Sequence, residues 1–234
     1  MEQLRLRLRA PFAAFRPLAA GVFRGSNRTI PHSTAYGLLL NLAGIETRAA
    51  LDTPVTQKAE NLPSFELSVG DVPDVHGEPP RVETALLYQQ LHGYPVGESS
   101  KELAAKTHGA KYHIAPVRRE LLVGLDVAVA VRGASESLVH AITATLRGEC
   151  VSGRYGLPFA GDNNLLFDRI EVLDESQSIC WYTRVLPGEM AREGTVQLTS
   201  VIDRGDSART VAGLFAPIAQ GRAAVPDSAW VAVR

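Results

Sequence analysis

The chain has 234 residues, of which 45% are hydrophobic, enough to fill one large domain or a domain with a smaller appendage. A formal charge of −1 excludes a free-standing nucleic-acid binder that works by net charge, and no run of about 18 apolar residues exists to span a membrane. Distribution matters more than the sum: residues 1–48 hold seven arginines against Glu2 and Glu46, whereas residues 52–83 hold seven acids against Lys58 and Arg81. That reads either as fluctuating surface charge or as a basic face joined to an acidic insertion.

In chain order, "LRLRLR" at 4–9 alternates strictly, giving a strand with Leu4, Leu6 and Leu8 on one face and Arg5, Arg7 and Arg9 on the other. The strand stops near Pro17. Residues 33–43 read as a helix capped by Ser33 or Thr34, burying Tyr36, Leu39, Leu40 and Ala43, and stopped at Gly44. Gly37 inside it implies a close packing contact, since glycine there costs about 1 kcal/mol relative to alanine. Residues 47–110 read as an insertion with weak strands or a hairpin arm, including a helix over 82–92. A short strand is expected at 111–117. The next strand, 120–132, puts Leu121, Val123, Leu125, Val127, Val129 and Val131 on one face; the other face holds small residues able to lie under something else. Helix 135–147 follows, ended by Gly148, then a glycine loop and strands at 165–173, 178–186 and 194–203. Residues 205–234 look peripheral. The alternating Leu-Arg N-terminus has no continuous apolar centre and is not a signal peptide, and Cys150 and Cys180 suit buried thiols in a reducing compartment, so the cytoplasm is expected.

Strand, helix, strand pair, helix, strand is the ferredoxin-like βαββαβ order. In that layout both helices cover one sheet face. Arg5, Arg7 and Arg9 are then expected on an open opposite face, where related folds bind RNA.

At this point four segments, "APFAAFR", "SNRTIPHSTAYGLLLNLAGIE", "RRELLVGLDVAVAV" and "YGLPFAGDNNLLFDRIEVL", carry a resemblance. In that order, across most of residues 2–174, they resemble the Cas-five family, CRISPR-associated RAMP-superfamily subunits of type I Cascade surveillance complexes, with the DevS-like branch nearest. The resemblance implies an α+β fold: a ferredoxin-like (RRM-like, RAMP) domain over 1–174, a thumb hairpin inserted within 47–110, and a small C-terminal β-rich extension over 175–234. It implies an RNA-binding subunit of an antiviral ribonucleoprotein that holds the 5′ handle of the guide RNA and caps the backbone. Its partners would be the backbone and large subunits, with target DNA met indirectly, no membrane and no cofactor.

The segment 24–29 would then bind RNA through Arg24, Asn27 and Arg28, with Ser26 and Thr29 adding hydroxyls. Arginine's planar fork suits phosphate, Asn and Ser suit base edges or 2′-hydroxyls, and the following helix start adds backbone N–H groups. A solvated, self-capping loop is the plainer alternative. Arg16 joins this set. Arg118 and Arg119 are expected where two strands meet, at an RNA contact or merely an exposed turn. Arg147, Arg154 and Tyr155 flank the glycine loop, where Tyr155 could stack a base; the glycines serve equally as helix stop and turns. "GDNN" at 161–164 reads as a turn, too acidic for phosphate.

Lys111, Tyr112 and His113 raise metal-free RNA cleavage, because one branch of the family uses a tyrosine, lysine and histidine for acid–base work on the 2′-hydroxyl. Alternation alone puts Lys111 and His113 on one strand face, so a basic RNA-contact patch fits as well. The leading expectation is a non-catalytic subunit; the alternatives are a metal-independent endoribonuclease processing repeat RNA, and a small-molecule-binding ferredoxin-like domain. No metal-ligand spacing, phosphate loop or nucleophile elbow occurs.

Overall fold

A computed structural model describes residues 3–17, 22–50, 52, 57–92, 114–149, 156–203 and 205–234. In chain order its elements are β1 (Leu4–Ala13), β2 (Phe23–Arg24), α1 (His32–Leu42), β3 (Phe65–Asp71), β4 (Glu83–His92) and β5 (Ile114–Arg132). These are followed by α2 (Glu136–Leu146), β6 (Arg169–Val172), β7 (Cys180–Arg184), β8 (Val196–Val201), β9 (Val211–Pro217) and β10 (Val231–Val233).

The strands join in one sheet with the path β6-β1-β5-β3-β7-β9-β8; β10 also pairs with β3, and β2 and β4 pair with β5. Stripped to β1, α1, β3, β5, α2 and β6, the order β6-β1-β5-β3 with antiparallel ladders is the ferredoxin-like arrangement. The fold class read from the sequence is therefore the one found. The leucines of β1 explain why it forms: Leu6 and Leu8 are fully buried beneath Leu39, Leu40 and Ile142 of the helices, beside Leu67, Val69 and Val129. Each such side chain contributes about 1.5–3 kcal/mol by leaving water.

Helix α1 begins one residue earlier than expected. Its N-cap is Pro31, with no side-chain cap bond from Ser33 or Thr34, and Gly44 at φ 73° accepts the stop. A methyl group at Gly37 would meet nothing within 4 Å, so the close contact expected there is absent. Helix α2 is capped by Ser135, whose Oγ accepts from the Leu138 N–H at 3.3 Å.

Five further expectations need correction. Residues 82–92 are strand β4, not a helix: Glu83–His92 pairs antiparallel with residues 114–123 of β5, making a hairpin arm. The proline- and acid-rich stretch around 63–80 holds β3, whose Phe65, Leu67 and Val69 are core residues. The expected strands 111–117 and 120–132 are, as far as they are described, a single strand, β5. At Gly124, φ 66°, its alternation slips, so that Leu122 enters the core while Leu121 and Val123 are only half-buried. The C-terminal residues are not peripheral, because Phe215, Val231 and Val233 sit in the main core and α1 packs on β8 and β10 as well as β3.

The fifth correction concerns the arginines of β1. The second sheet face is closed around Arg5 and only partly open at Arg7 and Arg9. Gly70, Ala128 and Ala130 form a flat floor there: Gly70 pairs with both Ala128 and Trp181, and Ile179, Trp181, Leu173, Ile218 and Ala229 close over the alanines. Arg5 is buried under that cover. Its guanidinium donates to the carbonyls of Glu175 and Ala223 at 2.7 and 2.8 Å and lies 5.9 Å from the Trp181 ring centre. Arg7 makes a two-pronged ion pair with Asp126 at 2.8 and 2.6 Å, and Arg9 pairs with Glu171 at 3.2 Å. No helix among the described residues is long and apolar enough to cross a membrane.

Two glycines make opposite predictions. Gly37→Ala should stabilise the fold by up to about 1 kcal/mol, since it improves helix propensity into open space. Gly70→Ala would set a methyl 2.4 Å from Ile179 Cγ2 and 3.1 Å from Trp181 Cε3, and should cost about 1–3 kcal/mol through overpacking. Urea unfolding of the two variants against wild type measures both; equal effects would refute the packing assigned to the second face.

Candidate nucleic-acid interface

The segment 24–29 is stitched between the end of β1 and the middle of β5. The Asn27 N–H donates to the Phe15 carbonyl at 2.7 Å, and the Ser26 Oγ accepts from the Phe15 N–H at 3.0 Å while donating to the Asn27 carbonyl at 2.9 Å. The Ser26 N–H donates to Glu120 Oε2 at 2.9 Å. Just before it, β2 runs parallel to β5, setting Phe23 opposite Arg118 and Arg24 opposite Arg119. The chain is held here by backbone pairing and one serine, so the position of Arg24 follows from the sheet.

Arg118 and Arg119 lie mid-strand in β5, not at a turn between strands. Arg119 is buried; it donates to Gln89 Oε1 of β4 at 2.9 Å and pairs with Asp162. Arg16 pairs with the same carboxylate at 2.8 Å. The turn at 161–164 exists, as expected, and does more than turn. Gly161, at φ 85°, packs where a methyl would stand 2.3 Å from the Ala14 carbonyl oxygen, which brings Asp162 up against β1 and β5. Burial pushes the Asp162 carboxyl up, but the Asn164 N–H and the two guanidiniums outweigh that and hold it below the usual range. Phe15, Arg16, Thr34, Gln89, Arg119 and Asn164 line an open cleft of roughly 580 Å³ around this group. Two cations share one anion, so the cleft keeps a positive balance.

The other sequence-predicted residues divide clearly. Among the described residues, the side chains of Arg24, Asn27, Arg28 and Arg118 make no hydrogen bond or ion pair, and Arg28 and Arg118 are exposed. Ser26 is spent internally, and Thr29 is fully buried. Arg147 lies at the end of α2, in an exposed pair with Glu149 at 3.0 Å, and does not line the cleft. Lys111, Tyr112, His113, Arg154 and Tyr155 lie outside the described residues, as does Cys150. No cluster of His, Cys, Asp and Glu among the described residues is placed to hold a metal ion.

Four contributors were not singled out in the sequence. Asp162 and Gln89 complete the Arg119 site, and Phe23 and Tyr88 flank Arg118. Phe23 was legible as the residue beside Arg24. Tyr88 was not, because its strand carries helix-favouring residues.

Below the loop lies a buried acid. Asp71 accepts from the Tyr182 hydroxyl at 2.8 Å; burial raises its carboxyl to about 6, with Tyr182, Thr29 and the field of Arg28 opposing. His32, at the start of α1, is fully buried against Phe215, with ring centres 4.9 Å apart. Burial, helped by Arg184, lowers its pKa to about 3, so the ring stays neutral. These two groups act oppositely on stability. Asp71, raised from 3.8, favours the fold in acid, and that contribution is lost as pH rises through about 6. His32, lowered from 6.5, favours the fold at neutral pH, and that contribution is lost as pH falls from 6.5 toward about 3. Between about pH 4 and 6 their slopes, each about 1.4 kcal/mol per unit, cancel. Asp71→Asn should therefore expose the His32 slope, and its unfolding free energy should drop on acidification across that window where wild type changes little. Chemical denaturation at stepped pH measures this; parallel profiles would sink it.

No protein-family model matches the chain, and no curated protein matches its sequence. Solved structures do match. A chain described as "CRISPR RNA-guided surveillance complex" aligns over 97% of this chain and 92% of its own, with a TM-score of 0.57 and 14% identity. Another, "Crystal structure of Cas protein", aligns over 96% and 98%, with a TM-score of 0.47 and 12% identity. What the first likeness establishes is the fold, extending over nearly the whole of both chains.

Proposed function

We propose that this chain is an RNA-binding subunit of a type I CRISPR effector (Cascade) complex, of the Cas-five family and its DevS-like branch. In this reading it holds the 5′ handle of the guide RNA, caps the backbone and contacts the backbone and large subunits in the cytoplasm, meeting target DNA only through them. Residues 1–174 supply the RAMP domain, an insertion within 47–110 that includes β4 supplies its thumb, and 175–234 the extension. The observation that carries the reading is the stitched 24–29 loop. It fixes Arg24 beside Arg119, which lines the cleft, and leaves Arg24 and Arg28 without an ion pair, Arg28 lying apart from the cleft in a groove with Asp71 and Asp126.

The chemistry supports binding of a short single strand. Unpaired guanidiniums grip phosphates, and their contribution falls with salt because each contact releases counterions. A net charge of −1 fits a protein whose affinity is focused in one region and whose remaining surface meets other subunits. The likeness in fold to a chain of an RNA-guided surveillance complex supports the same role. Binding without cleavage is the role assigned here.

The test is assembly with Arg24→Ala and Arg28→Ala together. The complex should form but retain the guide more weakly, and the slope of log affinity against log salt should shrink by about 1.4 for two lost phosphate contacts. Full guide occupancy with an unchanged slope would remove those residues from the interface.

A further inference from the structure

The arm bears a feature that the cleft does not use. β2 and β4 flank β5 on opposite sides, and both register on one residue: Phe23 pairs with Arg118, and Tyr88 pairs with Arg118. Directly paired residues project from the same sheet face, so Phe23, Arg118 and Tyr88 stand in one row across the arm. The strand spacing of about 4.8 Å sets the two aromatic residues roughly 10 Å apart with the guanidinium between them. All three are open to solvent, Phe23 at 52% and Tyr88 at 62%. Alternation sends the next row, Arg24, Arg119 and Leu87, to the opposite face, where Arg119 meets Asp162.

Nothing inside the described residues accounts for the row. The Arg118 side chain has no carboxylate partner, and the Tyr88 hydroxyl has no hydrogen bond. The acid nearest in register, Glu120, is held by the Ser26 N–H at 2.9 Å. Two exposed aromatic rings around an unpaired cation match the chemistry of a single-stranded nucleic acid: every base offers a π-face to a ring, and every linkage offers a phosphate to a guanidinium.

We propose that Phe23, Arg118 and Tyr88 form a base-stacking platform for single-stranded RNA, with Arg118 gripping the phosphate between two stacked bases. The proposal rests on the reading of the chain as a guide-RNA subunit and adds a second, sequence-tolerant contact on the face opposite Arg24. Stacking there supplies affinity that salt does not erase, whereas the arginine contacts supply affinity that it does.

The experiment uses the full chain and an oligoadenylate carrying a fluorescent adenine analogue whose emission is quenched by stacking. Wild type should bind at low salt with quenching. Phe23→Leu and Tyr88→Leu should each weaken binding about fivefold or more and relieve the quenching without changing the salt slope. Phe23→Trp and Tyr88→Trp should keep both, which separates stacking from simple burial. Arg118→Gln should leave the quenching and reduce the slope by about 0.7. Absence of quenching, or unchanged affinity in the leucine variants, overturns the platform; so does loss of a protein subunit from the assembled complex in those variants with guide affinity intact. The guide-binding role itself stands or falls separately, on whether the assembled wild-type complex carries a guide that Arg24 and Arg28 help to retain.

Discussion

One fit governs the rest of this protein: a tryptophan lying on a patch of sheet that has almost no side chains. Gly70, Ala128 and Ala130 are small enough for Ile179 and Trp181 to settle onto the backbone, and Gly70 leaves no room for even one more methyl. The Trp181 indole is fixed in turn by donating to the Arg222 carbonyl at 3.1 Å. With that lid in place the part of the second face around Ala128 and Ala130 is closed, and Arg5 is tolerable there because two carbonyls and an aromatic ring receive it. Beyond the lid, Arg7 and Arg9 stay partly exposed on this face, each held by a carboxylate. The guanidiniums left without a partner lie instead on the loop before α1 and on the arm.

The arginines show why counting charges misleads. Arg5, Arg7, Arg9 and Arg16 all answer to internal acceptors or carboxylates, although by sequence they belong to the same basic region as Arg24 and Arg28, and Arg119 from β5 is held in the same way. A guanidinium already held by a carboxylate must surrender that pair to take a phosphate, whereas an unpaired one need not. Availability, not abundance, marks the candidate interface. Asp162 is central to this division, since it neutralises part of the cleft while fixing its shape.

Much of this was legible. The period-two leucines of β1, the stripe on α2 and the small-residue face of β5 each led to the correct element, because local pattern and tertiary packing agree there. The errors occur where they disagree. "ETALLYQQLH" is built from helix formers, yet pairing with β5 overrides that preference. β3 was hidden among prolines and acids although Phe65, Leu67 and Val69 alternate cleanly. The open face for Arg5, Arg7 and Arg9 was a reasonable inference from the first 174 residues; it failed for Arg5, whose cover arrives with β7 and the C-terminal turns, whereas Arg7 and Arg9 stay partly exposed in ion pairs. In the site, Arg24 and Arg28 were visible as residues, but their freedom was not: no pattern in the sequence announces that Asp162 will take Arg16 and Arg119.

The long strand β5 joins the arm to the core without a hinge. Its C-terminal half is clamped between β1 and β3, and its N-terminal half runs out beside β4, with Gly124 at the change of partner. In mechanical terms it is a lever whose fulcrum lies inside the sheet. A tug on the arm along the strand is carried in shear by the two flanking ladders, many hydrogen bonds at once, and not by peeling them one after another. An arm built this way can take strain at its reaching end without loosening the core that carries it.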